Sequence, residues 1–211
     1  DYGTDNYAGV TWSNIQDRTV YIGWMNNWLY AGVVPADPWR SAMTLPRELE
    51  LVKVDGRYVL ASKVVREIEN IASEWKTVTD GYLGENDAYQ VRLSVDMTKD
   101  NTWRLSNGHD EYLEFYVNPS ARMIVARRNG STGASSFSAS FSLPALRLPV
   151  TGTDDVIELD IYVDRSSVEF ITADGTSAMT MIVFPENIYD KIECTSGKID
   201  GKVRSLARIW K

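Results

Sequence analysis

Carboxylates are the most abundant proton-transfer groups in this chain, with 29 Asp and Glu residues, but abundance is not a site. Asp154-Asp155 reads as a solvated turn, and Asp160, Asp164 and Glu169 are expected to flank strand ends, where charge meets water. Asp96, Asp100 and Asp110 match no calcium-loop spacing. The single histidine, His109, sits in a Gly/Asn/Asp-rich stretch that reads as a turn, which disfavours a Ser-His-Asp triad. With one histidine and one cysteine, Cys194, neither the common zinc sites nor an internal disulfide can be assembled, so no metal is expected. A phosphate-cradling glycine loop and a CxxC pair are both missing from the sequence.

The unusual feature is aromatic. Seven Trp and eleven Tyr exceed what an average core of this size needs, and Trp12, Trp24, Trp28 and Trp39 all fall in the first 39 residues. An indole plane with a polar edge suits the face of a sugar, because C–H patches stack while hydroxyls find polar neighbours. Core packing is the competing use of each.

Composition narrows the class. The 211 residues, 44% hydrophobic and 24% charged, are those of a globular chain with room for one large or two small domains. A net charge of −7 argues against nucleic acid or anionic lipid as partners. No apolar run reaches the roughly 18 residues of a membrane span. Asp1-Tyr2-Gly3-Thr4-Asp5 is not a targeting segment and reads as a cut inside a larger protein.

Strands must position whatever chemistry there is. Tyr7–Trp12 and Thr19–Trp24 form a predicted hairpin, followed by a loop over Asn26–Arg40 and a strand from Ser41 to Leu45. Leu49–Val54 and Arg57–Ala61 flank Asp55-Gly56, the strongest hairpin signal in the chain. Val64, Val65, Ile68, Ile71, Ala72 and Trp75 recur at helical spacing and predict one short amphipathic helix. Further strands are expected at about Ala88–Met97, Tyr112–Asn118, Met123–Arg127, Ser136–Phe141, Val156–Val163, Ser167–Thr172, Ala178–Val183, Lys191–Cys194 and Ser205–Trp210, punctuated by turns such as Asn129-Gly130. Alternation at Ile157, Leu159 and Ile161 against Glu158, Asp160 and Tyr162 implies an all-β antiparallel sandwich.

Four stretches resemble glycoside hydrolase family 32, the levanases, inulinases and invertases. They are Asp1–Ala8, similar to D-x-G-x-D-x-Y-A; Ile22–Trp28; Trp39–Leu49; and, downstream, Asp164–Phe170 with Asp174-Gly175 and Phe184-Pro185. The resemblance implies a five-bladed β-propeller followed by a lectin-like β-sandwich. This chain would supply the last blade at residues 1–46 and the sandwich at 47–211. A lone blade needs neighbours to bury its faces, so the N-terminal blades of the same protein are implied partners, and a homo-dimer through exposed blade strands is expected without them.

The implied chemistry is cofactor-free, retaining hydrolysis of β-fructosidic bonds in fructan or sucrose, outside the cytoplasm, by two carboxylates about 5–5.5 Å apart. The family's W-M-N-D-P-N-G, propeller E-C and R-D-P motifs have no counterpart here. Met25-Asn26-Asn27 departs from the first, and Glu193-Cys194 falls in the sandwich. No catalytic residue is therefore assigned, and the chain alone is expected to be inactive. The resemblance makes Trp28 a wall of the fructosyl site and places Asp1 near the leaving sugar. Asp5, Tyr7 and Trp24 are expected to be structural, and Trp39-Arg40 to clamp blade to sandwich. A free-standing carbohydrate-binding sandwich and a purely structural brace are the rival readings.

Overall fold

The computed structural model describes residues 1–84, 87–128 and 135–209. Five strands form the first sheet: β1 (Tyr7–Thr11), β2 (Thr19–Met25), β3 (Ala42–Met43), β4 (Arg47–Val54) and β5 (Arg57–Val64), in the order β1-β2-β4-β5 with β3 also on β2. Asp55 and Gly56 both take positive φ, 48° and 81°, the geometry a two-residue hairpin requires. The β4–β5 hairpin pairs with β2 through Thr19–Leu49, so the expected division at residues 46/47 falls inside this sheet.

Two antiparallel sheets make the sandwich. One runs β11 (Ala145–Pro149), β10 (Met123–Arg127), β9 (Tyr112–Asn118), β8 (Thr102–Ser106), β15 (Lys191–Cys194). The other runs β14 (Ala178–Ile182), β13 (Ser167–Thr172), β12 (Val156–Asp164), β7 (Tyr89–Asp96), β16 (Gly201–Ser205), β6 (Lys76–Thr77). Alternate residues Val91, Leu93, Leu159, Ile161, Val168 and Phe170 meet Leu105, Leu113, Phe115 and Ile124 from the facing sheet, a dry core built by period-2 patterning. Each such side chain contributes roughly 1.5–3 kcal/mol by leaving water.

Several local expectations change. In place of the helix expected from Val64 to Trp75 there is a 3₁₀ turn, Arg66–Asn70, with no side-chain cap, followed by a bridge from Ala72 to Leu206. Ile68 and Ile71 are periodic because they pack with Tyr162 and Leu206, not because a helix continues. The strand expected at Ser136–Phe141 is a 3₁₀ turn, Ser135–Phe137, and a short helix, Ala139–Ser142. This places Phe137 and Phe141 together against Tyr30. The final strand is β16, earlier than expected. Asn129-Gly130 and Trp210 lie outside the described residues. No helix among the described residues is long and apolar enough to cross a membrane.

The first sheet rests on the sandwich's six-stranded sheet. The Tyr2 amide donates to the Ala178 carbonyl, and the Ser62 amide donates to Gly175 across the far end of the seam. Two apolar clusters fill the space between, one around Tyr30, Phe141 and Ile182, the other around Ile68, Tyr162 and Ile171.

Candidate functional site

Trp28 stands on the loop that leaves β2, at the start of a tight turn. Asn27 makes that turn: its carbonyl accepts from the Ala31 amide at 2.8 Å, its Oδ1 accepts from the Leu29 amide, and its Nδ2 donates to the Thr4 carbonyl at 2.8 Å. The indole is 75% exposed. Among the described residues its one aromatic neighbour is Trp24, with ring centroids 5.2 Å apart at 50°, and Trp24 in turn meets the Tyr7 ring edge-on at 6.2 Å. Every residue of β1 is exposed. The result is an open aromatic surface on one edge of the first sheet, able to stack a sugar face.

Asp1 lies elsewhere in the bonding pattern. Its Oδ1 accepts from the Gly3 and Thr180 amides at 2.8 and 3.0 Å, and its Oδ2 from Asn6 Nδ2 at 3.0 Å, Arg47 Nη1 at 2.8 Å and Thr180 Oγ1 at 2.6 Å. A carboxylate has about four lone-pair sites, so five protein donors leave no place for a sugar hydroxyl in this arrangement. Arg47, 1% exposed, bridges Asp1 to Glu169 across the seam, and the Leu45 amide takes the second Glu169 oxygen at 2.8 Å.

Asp5 is fully buried and paired with Arg128, while its carboxylate also accepts from Tyr30 Oη and the Ile182 amide. Burial, with the Asp5 carboxylate nearby, raises the Tyr30 hydroxyl pKa to about 12. Arg40 departs from its expected role as a clamp: its guanidinium donates to the Gly32 and Val34 carbonyls and so closes its own loop. Trp39 does reach the seam, beside Ser166, Ile182 and Phe184.

Two further carboxylates, Asp160 and Glu169, are committed to structure. Asp160 is not at a strand end but midway along β12, buried and held by Arg92 Nε and Nη2 and by Gln90. Glu169 likewise is buried within β13. Glu193 and Cys194 lie on β15 in the sandwich. A groove of about 1060 Å³ between first sheet and sandwich has an apolar wall of Met25, Met43, Leu45 and Ile68, and Glu169 beneath it is already bound by Arg47. No group of three or more His, Cys, Asp or Glu side chains converges on a metal position among the described residues.

An antiparallel blade-like sheet seated on a lectin-like sandwich is the architecture of a propeller blade followed by a β-sandwich. Residues 1–62 match the glycosyl hydrolases family 32 N-terminal domain and residues 61–211 match the family 32 C-terminal domain. The chain belongs to glycoside hydrolase family 32. It is 31% identical over 233 residues to a levanase of Bacillus subtilis, aligning along 100% of this chain and 34% of that protein. To the extracellular exo-inulinase of Aspergillus niger it is 28% identical over 232 residues, covering 100% and 43%. The exo-inulinase crystal structure from Aspergillus awamori superposes with a TM-score of 0.85 at 26% identity, over 100% of this chain and 44% of that one. The chain thus spans less than half the length of these relatives.

Sequence reasoning missed Arg47 and Arg128. Each sits beside polar or turn residues, and nothing local signals that a cation there is buried.

Proposed function

We propose that this chain is the C-terminal portion of an extracytoplasmic glycosidase that hydrolyses β-fructosidic bonds in fructan or sucrose with retention. Its catalytic carboxylates would lie on sequence preceding Asp1. The observation that carries the reading is the surface made by exposed Trp28 and half-buried Trp24 on a family 32 blade whose strand β1 has no outer partner among the described residues. In the complete propeller, Trp28 forms an apolar wall for the fructosyl ring and limits water around the reacting carbon. Asp1 acts there by fixing the Asp1–Ala8 segment instead of meeting hydroxyls. The relatives, a levanase and an extracellular exo-inulinase, support both the substrate class and the location.

The propeller part extends through Val64 and the sandwich begins after the 3₁₀ turn, since β4 and β5 pair with β2 and the N-terminal family match ends at residue 62. The N-terminal blades cover the faces that expose Tyr7, Val10, Leu51, Tyr58 and Leu60.

The test is fructose release from levan, inulin and sucrose by the longer protein, by the 211-residue chain, and by the longer protein with Trp28→Ala. The reading expects activity in the first, none in the second, and a KM raised about tenfold in the third, the scale of one lost stacking contact. Inactivity of the longer protein on all three would overturn it. An unchanged kcat/KM in Trp28→Ala would leave the sandwich and blade as a brace only.

A further inference from the structure

Trp28 has little packing of its own, so something else must fix its orientation. The turn that carries it is anchored at two points. Asn27 ties one end to the Thr4 carbonyl, and Tyr30, two residues beyond Trp28, is driven 2% exposed into the sandwich. There the Tyr30 ring packs edge-on against Phe141, with centroids 5.5 Å apart, and its hydroxyl donates to Asp5 and accepts from Arg128 Nη2 at 2.7 Å.

Arg128 is the hub. All five of its N–H donors are used: Nε to the Phe141 carbonyl at 3.1 Å, Nη1 to Asp5 and to the Ile182 carbonyl at 2.9 Å, and Nη2 to Thr4 Oγ1 at 2.7 Å and Tyr30 Oη. Its guanidinium plane lies 4.1 Å from the Phe141 ring centroid. Two acceptors belong to the sandwich, two to the segment that leads into β1, and one to the Trp28 loop. A rigid planar fork can register three segments at once; a lysine, with three donors on a flexible stem, cannot.

We propose that Arg128, acting through Tyr30, is a positioning residue that sets the angle of Trp28 against Trp24, so that a side chain of the sandwich tunes the sugar-facing surface of the blade. This deepens the proposed function and rests on it only for the consequence in catalysis. The positioning itself is readable in the 211-residue chain.

Two indoles 5.2 Å apart and inclined at 50° couple excitonically, and the circular dichroism couplet changes with their separation and relative orientation. Trp28→Phe supplies the spectrum without it. Tyr30→Phe, which keeps the ring and removes the hydroxyl, and Arg128→Lys are each expected to lose at least half of the couplet at a temperature where thermal scans show them folded. Folded variants with the full couplet would overturn the proposal, and Tyr30→Phe decides if Arg128→Lys does not fold. In the longer protein, Tyr30→Phe is expected to raise KM for fructan about tenfold with kcat held within about twofold. An altered couplet with unaltered KM would overturn the catalytic consequence. An inactive unsubstituted protein would overturn the proposed function while leaving the couplet result standing.

Discussion

Replacing Arg47 by methionine keeps the aliphatic stem and deletes the charge at the centre of the seam. In the intact chain that guanidinium donates to Asp1 at 2.8 Å, Glu169 at 2.5 Å and Thr180 Oγ1 at 2.6 Å, and neither Arg47 nor Glu169 is more than 2% exposed. The loss is therefore that of one member of a buried pair, about 3–5 kcal/mol, because Glu169 is left desolvated and unpaired. For a chain of this size each kcal/mol moves Tm by about 2–4 °C, so the expected fall is about 6–20 °C. Thermal unfolding followed by circular dichroism measures it. Adding Glu169→Gln removes the stranded charge, so the double variant should recover about half of the deficit, a strong non-additive coupling. A fall below about 3 °C, or a double variant that costs the sum of the singles, would refute the claim that the seam is held by buried charge.

Phe170, buried in the sandwich core against Phe115 at 5.1 Å, is expected to cost about 3–5 kcal/mol when cut to alanine, read by urea unfolding. Alkaline pH should loosen the fold. Burial raises Tyr30 to about 12 and also lifts Tyr89, Tyr162 and Tyr189 above the ordinary tyrosine value. Between pH 10 and 12 the unfolded chain therefore loses protons that the folded one keeps, and stability present below pH 10 declines as pH rises; an ultraviolet phenolate titration should show these hydroxyls ionising together with unfolding. The 211-residue chain is expected to self-associate through β1 and the Leu51–Leu60–Tyr58 face. Light scattering would show mass above one chain, reduced by Leu60→Lys with Tyr58→Lys, and a clean monomer in the unsubstituted protein would contradict it.

Much of the fold was legible because strands announce themselves locally. Asp55-Gly56 marks its hairpin by the positive φ both residues must adopt, and Ile157, Leu159 and Ile161 alternate because they face the dry core between the sandwich sheets, although Asp160 and Tyr162 on the opposite face are buried as well, under the first sheet. Strands β8 and β11 were not read: Thr102–Ser106 is short and mixed, and Ala145–Pro149 is bracketed by prolines. Residues 64–75 misled because apolar spacing was shared between a 3₁₀ turn and distant Tyr162 and Leu206, which no window of sequence contains. Trp28 was legible only through its family motif. Arg128 was not, since its burial depends on acceptors from Thr4, Asp5, Tyr30, Phe141 and Ile182, five positions scattered along the chain.

The bonds between first sheet and sandwich leave from the Tyr2–Asp5 segment, from Leu45 and Arg47, and from β5 at Ser62. A sandwich cut free after Val64 would carry Arg128 and Glu169 as bare charges on a newly wetted surface. Swapping sandwiches between relatives thus calls for transplanting the matching blade as well, and hybrids joined between the two halves should be less soluble than hybrids joined upstream of Asp1.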